Sequence, residues 1–492
     1  MTYQKVTRVL CLVALGLFWA AAFAADDQPQ TPFDKGLAAY DAGKLDEARA
    51  DFEEALKAAP TDYVVLSWLG LVALDQQRND DAIGYLDRAL KEKSDYHVAR
   101  NNLGNAWAAK GDLVKAEAQY KAAIAAKDDY FEAHYNLATL YARKGDWAKA
   151  IPEYARASEL KPDDVSVHLN YARALQQSGD TDKAVAEYEA ILKIKPDHGE
   201  ALLALAGIYM QKSDDAKAAD YYSKASAAGQ KGAELEIGWG TALYNLTKTQ
   251  DAVPHLKAGV EADPKSFEGW YNLALALSSL QDYDGAAAAY TKAAELRPTD
   301  ANALNNLGWV LLQQNKPADA VEAFKRAVAA KPDMEIAQVN LALALEKAGR
   351  KDDALAQWKA ASAKFPDSTA AHLGLANLHY DRGEDNEALR EYLRALGLQP
   401  SNAEAHNNVG LIFLRRRNFT EATTHFRAAL DINPKFVHAL NNLGVAYEWQ
   451  GKKDDAIAQY KKALGIDPNY EPAKKNLQRL QGGAAPAEHG TG

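Results

Sequence analysis

Eight asparagines recur in register along the chain: Asn102, Asn136 and Asn170, then Asn272, Asn306 and Asn340, then Asn408 and Asn442, each a multiple of 34 residues from the next. Ala204, Gly238 and Gly374 interrupt the file. A carboxamide donates and accepts, so such a file can pair with a peptide backbone whatever side chains that peptide carries. It can equally bond locally, and both readings stand at this stage. Histidines recur on the same interval, with His134 and His168 at one site, His372 and His406 at the same site further on, and His379 seven residues after His372. Imidazole is a common metal ligand. No His-Glu-x-x-His motif or three-ligand cluster is present in the sequence, however. The expectation is half-buried structural histidines and no metal. Trp68, Trp309 and Trp449 occupy first-helix sites from which an indole could stack on a sugar or anchor a peptide, or pack between units. A row of acids, Glu132, Glu200, Glu234, Glu268 and Glu404, would favour a partly basic ligand or form a solvated rim.

The elements that must position these residues follow from a 34-residue period. Stepping by 34 from Ala48 meets alanine thirteen times, through Ala82, Ala116 and onward to Ala456, without insertion or deletion. Twelve residues before each alanine stands Gly or Ala, from Gly36 to Gly444. In residues 301–334, Leu304, Leu307, Gly308 and Leu311 share one helical face. Pro317 sits where a second helix can start, and Ala320, Phe324 and Ala327 form that helix's apolar stripe. Small residues at Gly308 and Ala320 let the two backbones approach, and Pro332-Asp333 ends the unit. A single hairpin cannot bury its stripe alone, so the units must stack.

This pattern resembles the tetratricopeptide repeat family. Trp270, Leu273, Ala274, Leu277, Ala286, Tyr290, Ala293 and Pro298 occupy its eight signature sites in residues 267–300, and Tyr120, Tyr154, Tyr188 and Tyr222 repeat the aromatic one. The resemblance covers residues 29–470. It implies an all-α fold, a right-handed α-α superhelical solenoid of about thirteen 34-residue helix-turn-helix repeats, with first helices lining the concave face. The asparagine file resembles the inward ladder of the superhelical domain in O-linked N-acetylglucosamine transferases. Only 22 residues follow Tyr470, so no catalytic domain is expected and transferase activity is not implied. Co-chaperone members clamp a terminal carboxylate with Lys and Arg at the second and sixth sites of the first helix. Here those sites hold Val98, Glu132, Glu200, Glu268 and Glu404 and the asparagines, so no such clamp can be assembled.

Lys5 and Arg8 precede an apolar run, Val9–Phe23, and then Ala22-Phe23-Ala24, the order of a secretory signal cleaved after Ala24. The single cysteine, Cys11, lies inside that run, so the mature chain is expected to lack a thiol. The charge is 57 − 67 = −10, and residues 25–492 carry 55 − 67 = −12 once Lys5 and Arg8 are set aside. An acidic body argues against nucleic acid and anionic lipid as partners. The expected organisation is a signal peptide 1–24, a linker 25–30, a six-repeat half-solenoid 31–232, and a seven-repeat half-solenoid 233–470. A cap helix 471–481 and a disordered tail 482–492 complete it. The glycine-containing turn 227–233 is the expected division between halves. Function is read as an exported, non-enzymatic scaffold that holds a protein or peptide in its groove. The groove would be formed by the eight asparagines and Trp309, without cofactor or metal, without membrane insertion after signal removal, and with self-association left open. The compartment would be periplasmic in a Gram-negative source and extracellular otherwise. A glycan-binding or envelope-assembly accessory protein is the alternative. A metal-dependent activity on His372, His379 and His406 is a second one.

Overall fold

A computed structural model of the chain describes residues 31–482. The expected signal peptide, the linker 25–30 and residues 483–492 of the tail lie outside the described residues. Among the described residues there are 27 helices and no strand. They alternate as hairpins, for example Ala301–Gln313 followed by Pro317–Ala330. Local sequence sets each boundary. Asp300 caps the first of these helices by accepting from the Ala303 backbone N–H at 2.8 Å, and Pro317 opens the second. The turn between paired helices carries one left-handed residue in every repeat. It is glycine at Gly111 and Gly383, but Asn315 and even the β-branched Thr247 (φ 61°) take the same site elsewhere.

Within each compact unit, first helices pack on their own second helices, and second helices on the first helix of the following repeat. First helices of successive repeats also touch directly, as Ala301–Gln313 does Glu335–Lys347. All thirteen periodic alanines, Ala48 through Ala456, are 0% exposed, so each marks the tightest point of a hairpin. At the facing site a side chain would have almost no room. A Cβ built on Gly308 would lie 2.7 Å from the Phe324 ring, and one on Gly104 would lie 2.5 Å from Tyr120. The apolar face read from sequence in 301–334 is the buried one, with Leu304, Ala320, Phe324 and Ala327 fully inaccessible.

The chain divides after Leu246 into two compact units, Met1–Leu246 and Thr247–Gly492. The seventh repeat is therefore shared between them, and the turn 227–233 lies inside the first unit. The physical reason is packing across that turn: Leu235 and Ala242 belong to the same buried cluster as Tyr222 and Ala225. In the second unit the last helix, Glu471–Gln481, repeats the pattern of a first helix and buries Ala473 and Leu480, with Leu477 partly buried beside them.

Six repeats carry Ala where Gly308 stands, each facing a large side chain sixteen residues on, as Ala138 does Tyr154. Gly308→Ala is therefore expected to leave stability within about 1 kcal/mol, because the gain in helix propensity offsets a small ring shift. Gly308→Leu overpacks the crossing and is expected to cost about 3 kcal/mol or more. Denaturant unfolding of the two variants measures the difference, and equal losses would contradict the close-approach account.

Candidate functional site

The asparagine file lies on the first helices, where the structure uses it to join one repeat to the next. Asn136 donates through Nδ2 to Asn101 Oδ1 at 2.9 Å and to Asn105 Oδ1 at 3.2 Å. Asn170 donates to the Tyr135 hydroxyl at 2.6 Å, and Asn306 to the Tyr271 hydroxyl at 3.2 Å. Asn340 donates to Asn305 at 3.0 Å, and Asn442 to Asn407 at 3.0 Å. Asn408 reaches the Tyr392 hydroxyl at 3.0 Å. The partners Asn101, Tyr135, Tyr271, Asn305 and Asn407 form a second file, one residue earlier in the preceding repeat. Sequence reasoning passed over them, although their own 34-residue interval was visible. Toward the C-terminal end, where both files hold asparagine, the bonds run on from repeat to repeat. Asn476 donates to Asn441, Asn441 to Asn442, Asn442 to Asn407 and Asn407 to Asn408, at 3.0–3.3 Å. Asn441 is 0% exposed, so the chain of amides satisfies groups that burial would otherwise penalise. Asn102 is also buried, and Asn272 is half-buried on its own first helix.

The acidic row is in part neutralised by this chain's own bases. Glu132 pairs with Lys161 at 3.2 Å, Glu268 with Arg297 at 2.5 Å, and Glu200 with Arg173. Lys161 and Arg297 also lie over the rings of Phe131 and Phe267, at 3.8 and 4.1 Å from the centroids.

The three tryptophans separate. Trp68 stacks on Phe52 (5.8 Å between centroids), and Trp449 stacks on Phe419 (5.7 Å). Trp309 meets Tyr283 only edge-on, and 42% of it remains exposed. On the adjoining first helix Leu343 holds the same site at 37% exposure, and Ile336, two turns earlier on that helix, is 52% exposed. Asn340 lies between Ile336 and Leu343 along its helix, and Asn306 stands one turn before Trp309 on the preceding first helix. Of the matching positions in other repeats, Asn105, Thr139, Arg173 and Gly207 are polar or small, while Leu37, Leu71, Leu275, Leu411 and Val445 are apolar but at least partly buried, so the exposed apolar row belongs to repeats nine and ten.

The histidines act as clasps. His134 places Nδ1 2.6 Å from Glu153 Oε2 and Nε2 2.9 Å from the Asp128 carbonyl. His168 does the same with Glu187 and the Pro162 carbonyl, and His372 with Glu391 and the Pro366 carbonyl. Arg100, Trp270 and Gln338 occupy the same site and likewise donate to the carbonyl six residues back, closing the turn between repeats. His379 pairs separately with Glu384, and His406 with His425. The trio His372, His379 and His406 is thus not brought together. Among the described residues there is no group of three metal-ligating side chains.

Two acceptors on one imidazole require both nitrogens to carry hydrogen, which is the charged form. Burial lowers the His134 pKa, but the bonds to Glu153 and the Asp128 carbonyl outweigh it, and the net direction is upward. For His168 the Glu187 bond is the leading cause, and the direction is the same.

The family model described as Tetratricopeptide repeat matches residues 33–97, 69–130, 169–233, 237–301, 277–335 and 410–471. Two further models of that description match 108–169 and 141–193, and 337–368, and one described as TPR repeat matches 376–416. Comparison with curated proteins finds no match. Among solved structures, YrrB, a TPR protein with an unusual peptide-binding site, is 24% identical over 37% of this chain and 95% of its own (TM-score 0.36). The APC/C hetero-tetramer Cut9-Hcn1 is 13% identical over 91% of this chain and 95% of its own (TM-score 0.38). Yeast Tom70 is 19% identical over 85% of this chain and 95% of its own (TM-score 0.35). These likenesses carry no argument about partner or role.

The clasps make stability depend on pH. A raised imidazole pKa contributes fully below the ordinary value of about 6.5, and the contribution is lost as pH rises through the folded value. His97, lowered by burial, acts only below that window. The first unit is therefore expected to weaken as pH rises above about 6.5. Replacing His134 and His168 by Gln keeps the turn-closing donor, as Gln338 does, and is expected to flatten that slope. Unfolding midpoints across the window check this, and an unchanged slope would refute the charged-clasp assignment.

Proposed function

The chain belongs to the tetratricopeptide repeat family, whose helical hairpins serve protein–protein interaction, and from that premise we propose an exported, non-enzymatic scaffold that seats an extended peptide segment against its first helices. The observation that carries this reading is the exposed row of Trp309, Ile336 and Leu343 beside Asn306 and Asn340. Large apolar side chains left open next to carboxamides offer a ligand both burial and backbone bonds. The remaining file members, Asn102, Asn136, Asn170, Asn272, Asn408 and Asn442, hold the equivalent first-helix site in their own repeats. Because their amides also join repeats, the apolar row discriminates ligand binding from folding better than the asparagines do. Export rests on the basic–apolar–small order of residues 1–24. The acidic charge supports a partner that is neither nucleic acid nor anionic lipid.

A photo-crosslinker at position 343 of the full chain, followed by sequencing of the captured peptides, is expected to yield apolar segments. Trp309→Ala combined with Ile336→Ser should lower capture at least tenfold while leaving the melting temperature unchanged. Equal capture by the variant would sink the groove assignment. Retention on cell-wall glycans that depends on Trp309 alone would favour the glycan-binding reading instead. Sequencing of the mature N-terminus is expected to begin at Ala25, and an intact Met1 would count against signal cleavage.

A further inference from the structure

One clasp differs from the others. In the twelfth repeat, His406 takes the turn-closing site, and its Nε2 lies 3.1 Å from the Pro400 carbonyl. Nineteen residues on, where His134, His168 and His372 each find a carboxylate, His406 finds a second imidazole. The two Nδ1 atoms are 3.1 Å apart. We propose that His406 and His425 chelate a divalent transition ion of the imidazole-seeking kind, copper, nickel or zinc, through their two Nδ1 atoms.

Geometry carries the assignment. A carbonyl only accepts, so the Pro400 contact places hydrogen on Nε2 of His406 and leaves Nδ1 with its lone pair in the neutral ring. A backbone carbonyl on the distal nitrogen is also the usual way a ligating histidine is held in tautomer and orientation. The His425 ring is fixed by Phe413, which stacks on it with centroids 5.7 Å apart and planes 21° from parallel. Two nitrogens 3.1 Å apart, each about 2.0–2.1 Å from one ion, subtend roughly 100° at it. That angle falls between a square plane (about 90°) and a tetrahedron (about 109°), the geometries these ions adopt. The two imidazoles are the protein's share of the shell, and water can complete it. The sister sites lack this capacity, because each of their rings has both nitrogens engaged by an acceptor. A bound ion would do in the twelfth repeat what the histidine–carboxylate bond does at His134, His168 and His372, tying the first helix to the second. This inference is independent of what the groove binds.

The test uses full-length, tag-free, metal-stripped protein titrated calorimetrically with Cu2+ and Zn2+, with Mg2+ as the control ion. The wild type is expected to bind one equivalent that both His406→Gln and His425→Gln lose, with at least a tenfold fall in affinity. Copper should bind more tightly than zinc, and magnesium not at all. Glutamine has precedents at both positions, since Gln338 closes its turn and Gln119 and Gln357 occupy the site matching His425. Unaltered circular dichroism will show that the variants fold. The Cu2+ spectrum of the wild type should carry imidazole nitrogen couplings that each variant diminishes, and the ion should raise the melting temperature of the wild type alone. Absence of ion-dependent heat in the wild type, or the same stoichiometry and affinity in both variants, overturns the proposal.

Discussion

The crossing of the two helices in each hairpin is the constraint on which the rest depends. Thirteen periodic alanines are inaccessible, and a Cβ at Gly36, Gly70, Gly104, Gly308, Gly410 or Gly444 would press on the large side chain sixteen residues on. A close crossing turns a sequence interval into a distance in space, because a residue 34 positions on must occupy the equivalent point of the next hairpin. The asparagine file, the histidine clasps and the exposed apolar row all take their geometry from it.

Two kinds of polar bond are built on that frame, and they divide the work. Amides running from one first helix to the preceding one hold successive repeats in register. Donors at the clasp site bind the carbonyl of the preceding turn, and several of them also reach the second helix of their own repeat. Neither kind leaves a buried group without a partner, which is the condition under which polar groups inside a protein do not weaken it. At the last helix, Asn476 continues the amide ladder and Arg479 pairs with the buried Glu448, so the final described repeat is finished by the same devices.

Much of this was legible before any coordinates. The face formed by Leu304, Leu307 and Gly308, and its partner stripe Ala320, Phe324 and Ala327, followed from periodicity alone, since burial repeats with the helix. The family of folds followed from the interval. What escaped notice was pairing at an offset: Asn340 bonds to Asn305, 35 residues away, and a search for identical sites 34 apart does not see it. The separate fates of the tryptophans were also hidden. Trp68 and Trp449 are covered because Phe52 and Phe419 lie flat against them, whereas Tyr283 meets Trp309 by its edge. Residue type does not reveal ring orientation. The division at Leu246 was equally illegible, because the glycine-containing turn drew attention to a place that Leu235 packs firmly shut.

The clasps are unevenly distributed, and this has a mechanical consequence. Leu66, Leu202, Leu304 and Leu440 take the clasp site in four repeats and have no polar donor to offer there. Repeats that lean only on their neighbours yield one at a time under tension. Each would release roughly 12 nm of chain, about 3.5 Å for each of its residues. Stretched from end to end, a compact unit of this protein would therefore lengthen in equal steps but at unequal forces, the clasped hairpins and the leucine hairpins leaving different marks on one evenly ruled trace.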